Sequence, residues 1–378
     1  MNKQRLLDTF IELAQISSPS RSEASVAAYC KKALEQAGCT VMVDDSGAAT
    51  GSDTGNIIAT LPGTVAEAAP GVLPGKLYFS AHMDTVNPCE GIRPIIQEGV
   101  IRSAGDTILG GDDKAGVAAI IETVRTLVEE GGPHPPIGVL LSTCEELGLL
   151  GAHAMDPANY QGDLCLVLDG GGMPGTVVIG APYHFVFEAT FTGKAAHAGV
   201  EPEKGLSAIS LAAKAVLAME LGKLGPNKTA NVGTINGGNA TNVVPDTCQI
   251  TGEFRTMDRD EVDLMRANMD GAMHQALAGT KGQGQVEIKW TQEYPGFILP
   301  EEDPHIQMVL AQAKAMGLDA KAMLSGGGSD ANVFAAAGLK ALVLGTGMTD
   351  IHGLSESLAI ADLESLTQLC LAIVHAMS

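Results

Sequence analysis

The chain has 378 residues and a formal net charge of −21, from 23 Lys+Arg against 44 Asp+Glu. That length is more than one core usually serves, so two domains, or one large domain with an insertion, are expected. A hydrophobic content of 45% excludes disorder as the main state, and the shortage of cations excludes nucleic-acid binding through a basic face.

The opening segment, MNKQRLLDTFIELAQ, places Leu6, Phe10 and Leu13 at helical spacing and carries Asp8 and Glu12. It therefore reads as an amphipathic helix and not as the apolar core of a secretion signal. No stretch approaches the ~18 consecutive apolar residues of a membrane span. The seven cysteines are scattered and contain no CxxC, which argues against a disulfide framework or a cysteine zinc site and for a cytoplasmic location.

Helices are predicted over 6–16 and 23–37, separated by Ser17-Ser18-Pro19-Ser20 and closed by Gly38. Apolar runs at 41–44, 57–61, 77–81, 137–142, 164–168 and 341–344 read as strands, several of them covered on both faces. Helices at 115–129 and 330–337 alternate with them, which predicts an α/β domain with a mainly parallel sheet. The small-residue stretches 47–55 and 63–75 read as mobile loops. The middle third differs: strand 184–192, helix 205–221, strands 229–236 and 246–256, helix 261–277 and strand 285–290. That β-α-β-β-α-β order is ferredoxin-like. The chain is thus expected to fold as a domain built from 1–180 and 294–378, with a lid domain inserted at 181–293 and hinges near 180–182 and 294–297.

In an open α/β sheet, sites form beyond the carboxyl ends of the strands. Here strand 77–81 runs into His82 and Asp84, strand 137–142 into Glu145-Glu146, strand 164–168 into Asp169, and strand 341–344 toward His352. Asp112-Asp113 follows Gly110-Gly111 at the start of a helix. Carboxylates packed at one sheet edge repel one another, and divalent cations relieve that. Imidazole mixed with carboxylate suits zinc, manganese or cobalt better than calcium or magnesium.

The ordered series AHMDTV, GGDDKAG, STCEELGLLGA, VLDGGG, AAHAG, GGNATNVVPD, EFRTMD, GGGSDANVF and IHGLSE resembles the di-zinc exopeptidase family of peptidase T, glutamate carboxypeptidase and the aminoacylases. The text ILGGDDKAG and CEELGLLGA is most similar to its peptidase T-like (tripeptide aminopeptidase) branch. The resemblance implies two divalent metal ions per subunit, Zn2+ first and Co2+ or Mn2+ as alternatives. It implies His82 and Asp169 on one metal, Glu146 and His352 on the other, and Asp112 bridging them beside a cis peptide to Asp113. Asp84 would orient His82, and Glu145 would be the general base toward the attacking water. In the lid, His197 would stabilise the oxyanion, while Asn242, Arg255, Gly327 and Gly328 would bind substrate. Residues alone do not say which of Glu145 and Glu146 is base and which is ligand; the family pattern does.

The resemblance implies hydrolysis of short peptides, since the peptidase branch carries Asp at the Asp169 position where deacylases tend to carry Glu, and the peptidase T-like text favours tripeptides. The alternatives are a deacylase or carboxypeptidase acting on N-acyl amino acids at the same site, and a catalytically silent metal- or peptide-binding module. The implied partners are a short peptide substrate and a second copy of the chain, paired through the lid; no nucleic acid or membrane is expected.

Overall fold

Apolar runs without a polar face need cover on both sides, and those of this chain form the centre of a layered sheet. The computed structural model describes residues 1–65, 73 and 75–378, so most of the expected loop over 63–75 lies outside the described residues. The chain divides into two compact units. One is made of Met1–Gly180, Ile298–Ser325 and Ser329–Ser378, the other of Ala181–Phe297 with Gly326–Gly328. The sequence alone had put 326–328 with the flanking segments.

In the first unit the parallel heart of the sheet is Ile137–Ser142, Leu77–His82, Leu164–Gly170 and Ala341–Gly345, side by side in that order. Every residue of the first two strands is buried. Thr40–Val43 and Ile57–Leu61 extend the sheet antiparallel on one side. On the other side Thr176–Ala181 runs antiparallel to Ala341–Gly345, with Lys321–Leu324 parallel to it. The ladder places His82 opposite Ser142 and Gly345 opposite Gly170, so the carboxyl ends of the parallel strands finish level. Helices Lys3–Gln15, Ala24–Gln36, Gly111–Glu130 and Ile360–Ala376 pack Phe10, Leu34, Ile120, Val124, Leu366 and Ile373 into its core.

A second small sheet was not foreseen. It orders Met348–Thr349, Ser357–Ala359, Val100–Ser103 and Pro94–Gln97, all antiparallel. Its strands are two to four residues long, too short to show a period of two in the sequence. One expectation is corrected outright. The stretch 47–55 is not a loose loop: Gly47–Thr50 is a helical turn with Ser46 and Thr50 buried, and Asp53 Oδ1 accepts Ala24 N–H at 2.8 Å.

The second unit orders Lys228–Gly237, Thr247–Thr256, Tyr183–Thr192 and Gln285–Tyr294. Numbered along the chain these strands lie 2-3-1-4, the ferredoxin-like order, with Gly222–Gly225 added at the edge beside Lys228–Gly237. Strand Thr247–Thr256 buries every second residue. Ile250 and Phe254 meet Phe187, Phe191, Ala212 and Met269 in a core under helices Ala208–Ala218 and Arg259–Gln275. Among the described residues no helix is long and apolar enough to cross a membrane.

Candidate metal centre

His82 closes its strand and is 2% exposed. Its Nδ1 lies 2.9 Å from the Asp84 carbonyl oxygen and 3.5 Å from Asp84 Oδ1, which fixes the ring and leaves Nε2 facing outward from the strand end. The Asp84 carboxylate does more than face that ring. Its Oδ1 accepts Glu145 N–H at 2.9 Å, and its Oδ2 accepts Glu146 N–H at 3.3 Å and Ser20 Oγ–H at 2.6 Å. One buried carboxylate therefore ties the His82 strand end to the turn carrying both glutamates. That turn begins at Cys144, whose φ of 52° sets the left-handed bend out of Ile137–Ser142 into the short helical turn Glu145–Leu147.

Asp112 is delivered by Gly110, at φ 71°, and Gly111, and the Asp112–Asp113 peptide bond is cis. Asp112 and Asp113 have non-helical backbone angles, so the regular helix starts after them. The two oxygens of Asp112 face opposite partners: Oδ1 is 3.2 Å from His82 Nε2, and Oδ2 is 3.1 Å from His352 Nε2. Around the first histidine, Asp169 Oδ1 stands 3.9 Å from His82 Nε2. Around the second, Glu146 Oε1 stands 2.9 Å from His352 Nε2. His352 itself sits on the turn between Met348–Thr349 and Ser357–Ala359, with φ 64° and half its side chain exposed.

Asp113 also comes close, its ligand atoms lying within 4.8 Å of those of His82 and Asp169. Yet its Oδ2 accepts His82 N–H and its Oδ1 accepts Gly116 N–H, each at 3.2 Å, so both oxygens already serve the backbone.

The crowded carboxylates perturb one another. Burial pushes the Glu145 carboxyl well above its ordinary range; Asp330, Glu146 and Asp112 add to the effect and His82 opposes it. Burial does the same to Asp169, reinforced by Asp112, Asp113 and Glu145. Asp112 is desolvated too, but His352 and His82 hold it below the ordinary range. His352 is in turn pushed up to about 10 by Asp112 and Glu146. Glu146 Oε1 is buried and accepts no hydrogen bond, although His352 Nε2 is 2.9 Å away. A buried carboxylate oxygen left without a donor beside an imidazole nitrogen suits a shared cation. The nitrogen and oxygen donor set, with one carboxylate facing both histidines, fits a pair of divalent transition-metal ions.

The second unit brings its own candidates together in two places. His197 and Val243 form a bridge and Ala198 N–H donates to Asn242 O at 3.0 Å, so His197 and Asn242 lie on paired segments, with His197 exposed. Arg255 reaches the glycine segment, donating from Nη1 to Gly326 O at 3.2 Å and to Tyr294 Oη at 3.4 Å, while Nη2 pairs with Glu253 at 3.2 Å. Gly328 N–H donates to Tyr294 Oη at 3.0 Å, beside Gly327. Sequence reasoning missed the parts played by Tyr294, Glu253, Glu23 and Glu356; the signals were the place of Glu253 in EFRTMD and of Glu356 in IHGLSE, with Tyr294 read only as part of a hinge and Glu23 only as the start of a helix.

The model of peptidase family M20/M25/M40 matches residues 78–376. The chain is 37% identical to the uncharacterized protein YqjE of Bacillus subtilis over 99% of both chains. Its fold superposes on the crystal structure of aminopeptidase PepT from Bacillus cereus with a TM-score of 0.91, at 38% identity over 100% of this chain and 99% of that one. It superposes on a tripeptidase from Staphylococcus aureus with a TM-score of 0.94, at 34% identity and the same coverage. With a family match spanning most of the chain and the histidine–carboxylate cluster at the strand ends, the protein belongs to peptidase family M20/M25/M40, as a peptidase T-like metallopeptidase.

Proposed function

We propose that the protein is an aminopeptidase that removes N-terminal residues from short peptides, tripeptides above all, with two divalent ions, zinc first and cobalt or manganese as alternatives. The observation that carries this reading is the Asp112 carboxylate, whose two oxygens stand 3.2 and 3.1 Å from two different histidines. His82, Asp169 and one oxygen of Asp112 would hold one ion; His352, Glu146 and the other oxygen would hold the second. Ions held there would polarise the scissile carbonyl and make a nearby water acidic.

The chain's own residues do the rest. Glu145 is not needed as a ligand, and burial raises the proton affinity of its carboxylate. It takes the proton of the attacking water and returns it to the leaving amine. Asp84 keeps it in place by holding its backbone N–H. His197 would donate to the developing oxyanion, and Asn242, Arg255, Gly327 and Gly328 would hold the peptide backbone and terminal carboxylate. The exposed edge strand Gly222–Gly225 supports a homodimer through the inserted unit. Seven unpaired cysteines support a cytoplasmic location.

The test uses metal content and a small peptide panel on one preparation. Glu145→Gln is expected to abolish turnover with about two ions per chain retained. Loss of metal together with loss of turnover would make Glu145 a ligand and exchange its role with that of Glu146, and activity kept without metal would refute the metal mechanism. A free-amine tripeptide is expected to be cleaved and its N-acetylated form rejected; preference for the blocked form would make the protein a deacylase.

A further inference from the structure

Glu356 is 2% exposed and lies four residues beyond His352. Its carboxylate is occupied by backbone amides from a segment about 245 residues earlier in the chain. Oε2 accepts Leu109 N–H and Gly110 N–H, each at 2.8 Å, and Oε1 accepts Asp112 N–H at 3.0 Å. A Cβ on Gly111 would stand 3.0 Å from Oε1, so glycine there gives the carboxylate room. The three amides belong to the turn that delivers Asp112. At its other end, Glu356 N–H donates to Gly353 O at 3.1 Å, and Gly353 N–H donates to Asp350 O at 3.1 Å, so the turn closed by Glu356 directly follows the one carrying His352. The next residues, Ser357–Ala359, pair with Val100–Ser103.

We propose that Glu356 is the positioning residue of the bridging carboxylate: it locks the Asp112 turn to the His352 turn, so that both metal positions depend on it. The inference rests on the two-metal reading of the site. The chemistry of the side chain is specific. Three N–H donors converge on the two ends of one carboxylate, so both ends must accept. A glutamine has the same shape but accepts at one end only. Its NH2 group must then face either Asp112 N–H or the Leu109 and Gly110 pair, donor against donor in a buried place. An aspartate keeps both acceptors and loses one methylene of reach.

Two roles are separable here. If Glu356 only stabilises the fold, its loss lowers the melting temperature and leaves metal affinity alone. If it sets Asp112, its loss weakens both ions together, because Oδ1 faces His82 and Oδ2 faces His352. Loss of a group that orients a metal ligand typically costs about 10–100-fold in metal affinity.

The experiment titrates Co2+ against a competing chelator into metal-free wild type, Glu356→Gln, Glu356→Asp and Gly111→Ala, with His352→Ala as the one-sided control. Amide exchange at Leu109, Gly110 and Asp112 is followed in the same metal-free proteins. Glu356→Gln is expected to lose about 10–100-fold at both ions and to lose protection at those three amides. Glu356→Asp should recover part of both, and His352→Ala should weaken one ion more than the other. Gly111→Ala disturbs the carboxylate without removing it, and should weaken both ions even if the glutamine variant fails to fold. Wild-type affinity for two ions in Glu356→Gln or Gly111→Ala, or a loss confined to one ion, overturns the inference. A wild-type chain that binds no second ion overturns the two-metal reading itself.

Discussion

Glu23 offers a sharp test of how the turn carrying Glu145 is held. It is fully buried just ahead of helix Ala24–Gln36. Its Oε1 accepts Cys144 N–H at 2.9 Å and Cys144 Sγ–H at 3.2 Å, and its Oε2 accepts Ser52 Oγ–H at 2.5 Å. Cys144 is the residue before Glu145 and carries the left-handed bend. Replacing Glu23 by Ala orphans the buried Cys144 N–H, which costs about 1–3 kcal/mol, while half-buried Ser52 can turn toward water at little cost. Against this, removing a buried carboxylate relieves its desolvation. Glu23→Gln relieves that penalty as well, yet keeps an oxygen for Cys144 N–H and an NH2 for Ser52. The glutamine is therefore expected to be as stable as wild type. The alanine should lose about 2 kcal/mol, or ~4–8 °C in melting. A displacement of about 1 Å at a reacting group costs roughly 100-fold in rate. So kcat should fall about 10–100-fold in Glu23→Ala, with KM and metal content little changed, and stay within a few-fold in Glu23→Gln. Steady-state kinetics with a tripeptide and a thermal melt on the same proteins decide it. A Glu23→Ala protein that melts lower but turns over at the wild-type rate would refute a role for Glu23 in placing Glu145.

Chelation should lower both activity and melting temperature, because ions that bind only the folded chain add about 2.7 kcal/mol each at 100 times Kd; an unchanged melt after verified metal removal speaks against resident ions. Tyr294→Phe removes the oxygen that accepts both Gly328 N–H and Arg255 Nη1–H, and is expected to raise KM several-fold with a smaller change in kcat. Gly328→Ala should be more severe, since its Cβ would stand 2.4 Å from the Tyr294 ring; a KM equal to wild type in both variants removes this segment from substrate binding. Glu253 is held down at about 2, by His184 Nε2 at 2.6 Å first and then by Arg255. A carboxyl lowered on folding stabilises above its unfolded value of about 4.5 and loses that contribution as pH falls toward 2. Glu253→Gln should therefore flatten the acid limb of stability between about pH 4.5 and 2, and an unaltered limb would deny the pairing any weight.

What the sequence made legible was whatever is local. The strands Ile57–Leu61 and Ile137–Ser142 fall on the expected residues because each is a short continuous apolar run, readable without knowing its neighbours. The helix expected to begin at 115 was placed well, since Asp112 and Asp113 are outside the regular helix in spite of their place at its start. The ends of those strands then located the histidines and carboxylates of the cluster. The groups that hold the cluster were invisible. Glu356 meets its donors across about 245 residues and Glu23 meets Cys144 across 121, and an acceptor of backbone N–H leaves no periodic trace. The small sheet under His352 went unread because its strands are too short to alternate, and Gly222–Gly225 because glycine carries little strand propensity.

The charge of −21 takes on a different meaning once these partners are known. A buried carboxylate must be met by a cation or by donors, and the first unit uses each solution for a different purpose. Glu122 is matched by Arg5, 2.7 Å from Nε. Glu23, Asp84, Asp113 and Glu356 are matched by backbone N–H groups, and each grips a segment bearing a proposed ligand or the proposed base. Asp112, Glu146 and Asp169 instead face histidines. Backbone amides are the hydrogen-bond partners of these holding carboxylates, and the buried Lys114 two residues beyond Asp112 donates instead to the Ile16 carbonyl. A clamp built from ion pairs would fix the same turns and weaken the site they carry. Carboxylate-to-backbone clamps fix the turns and leave the negative potential intact, which is the condition the proposed pair of divalent ions requires at one strand edge.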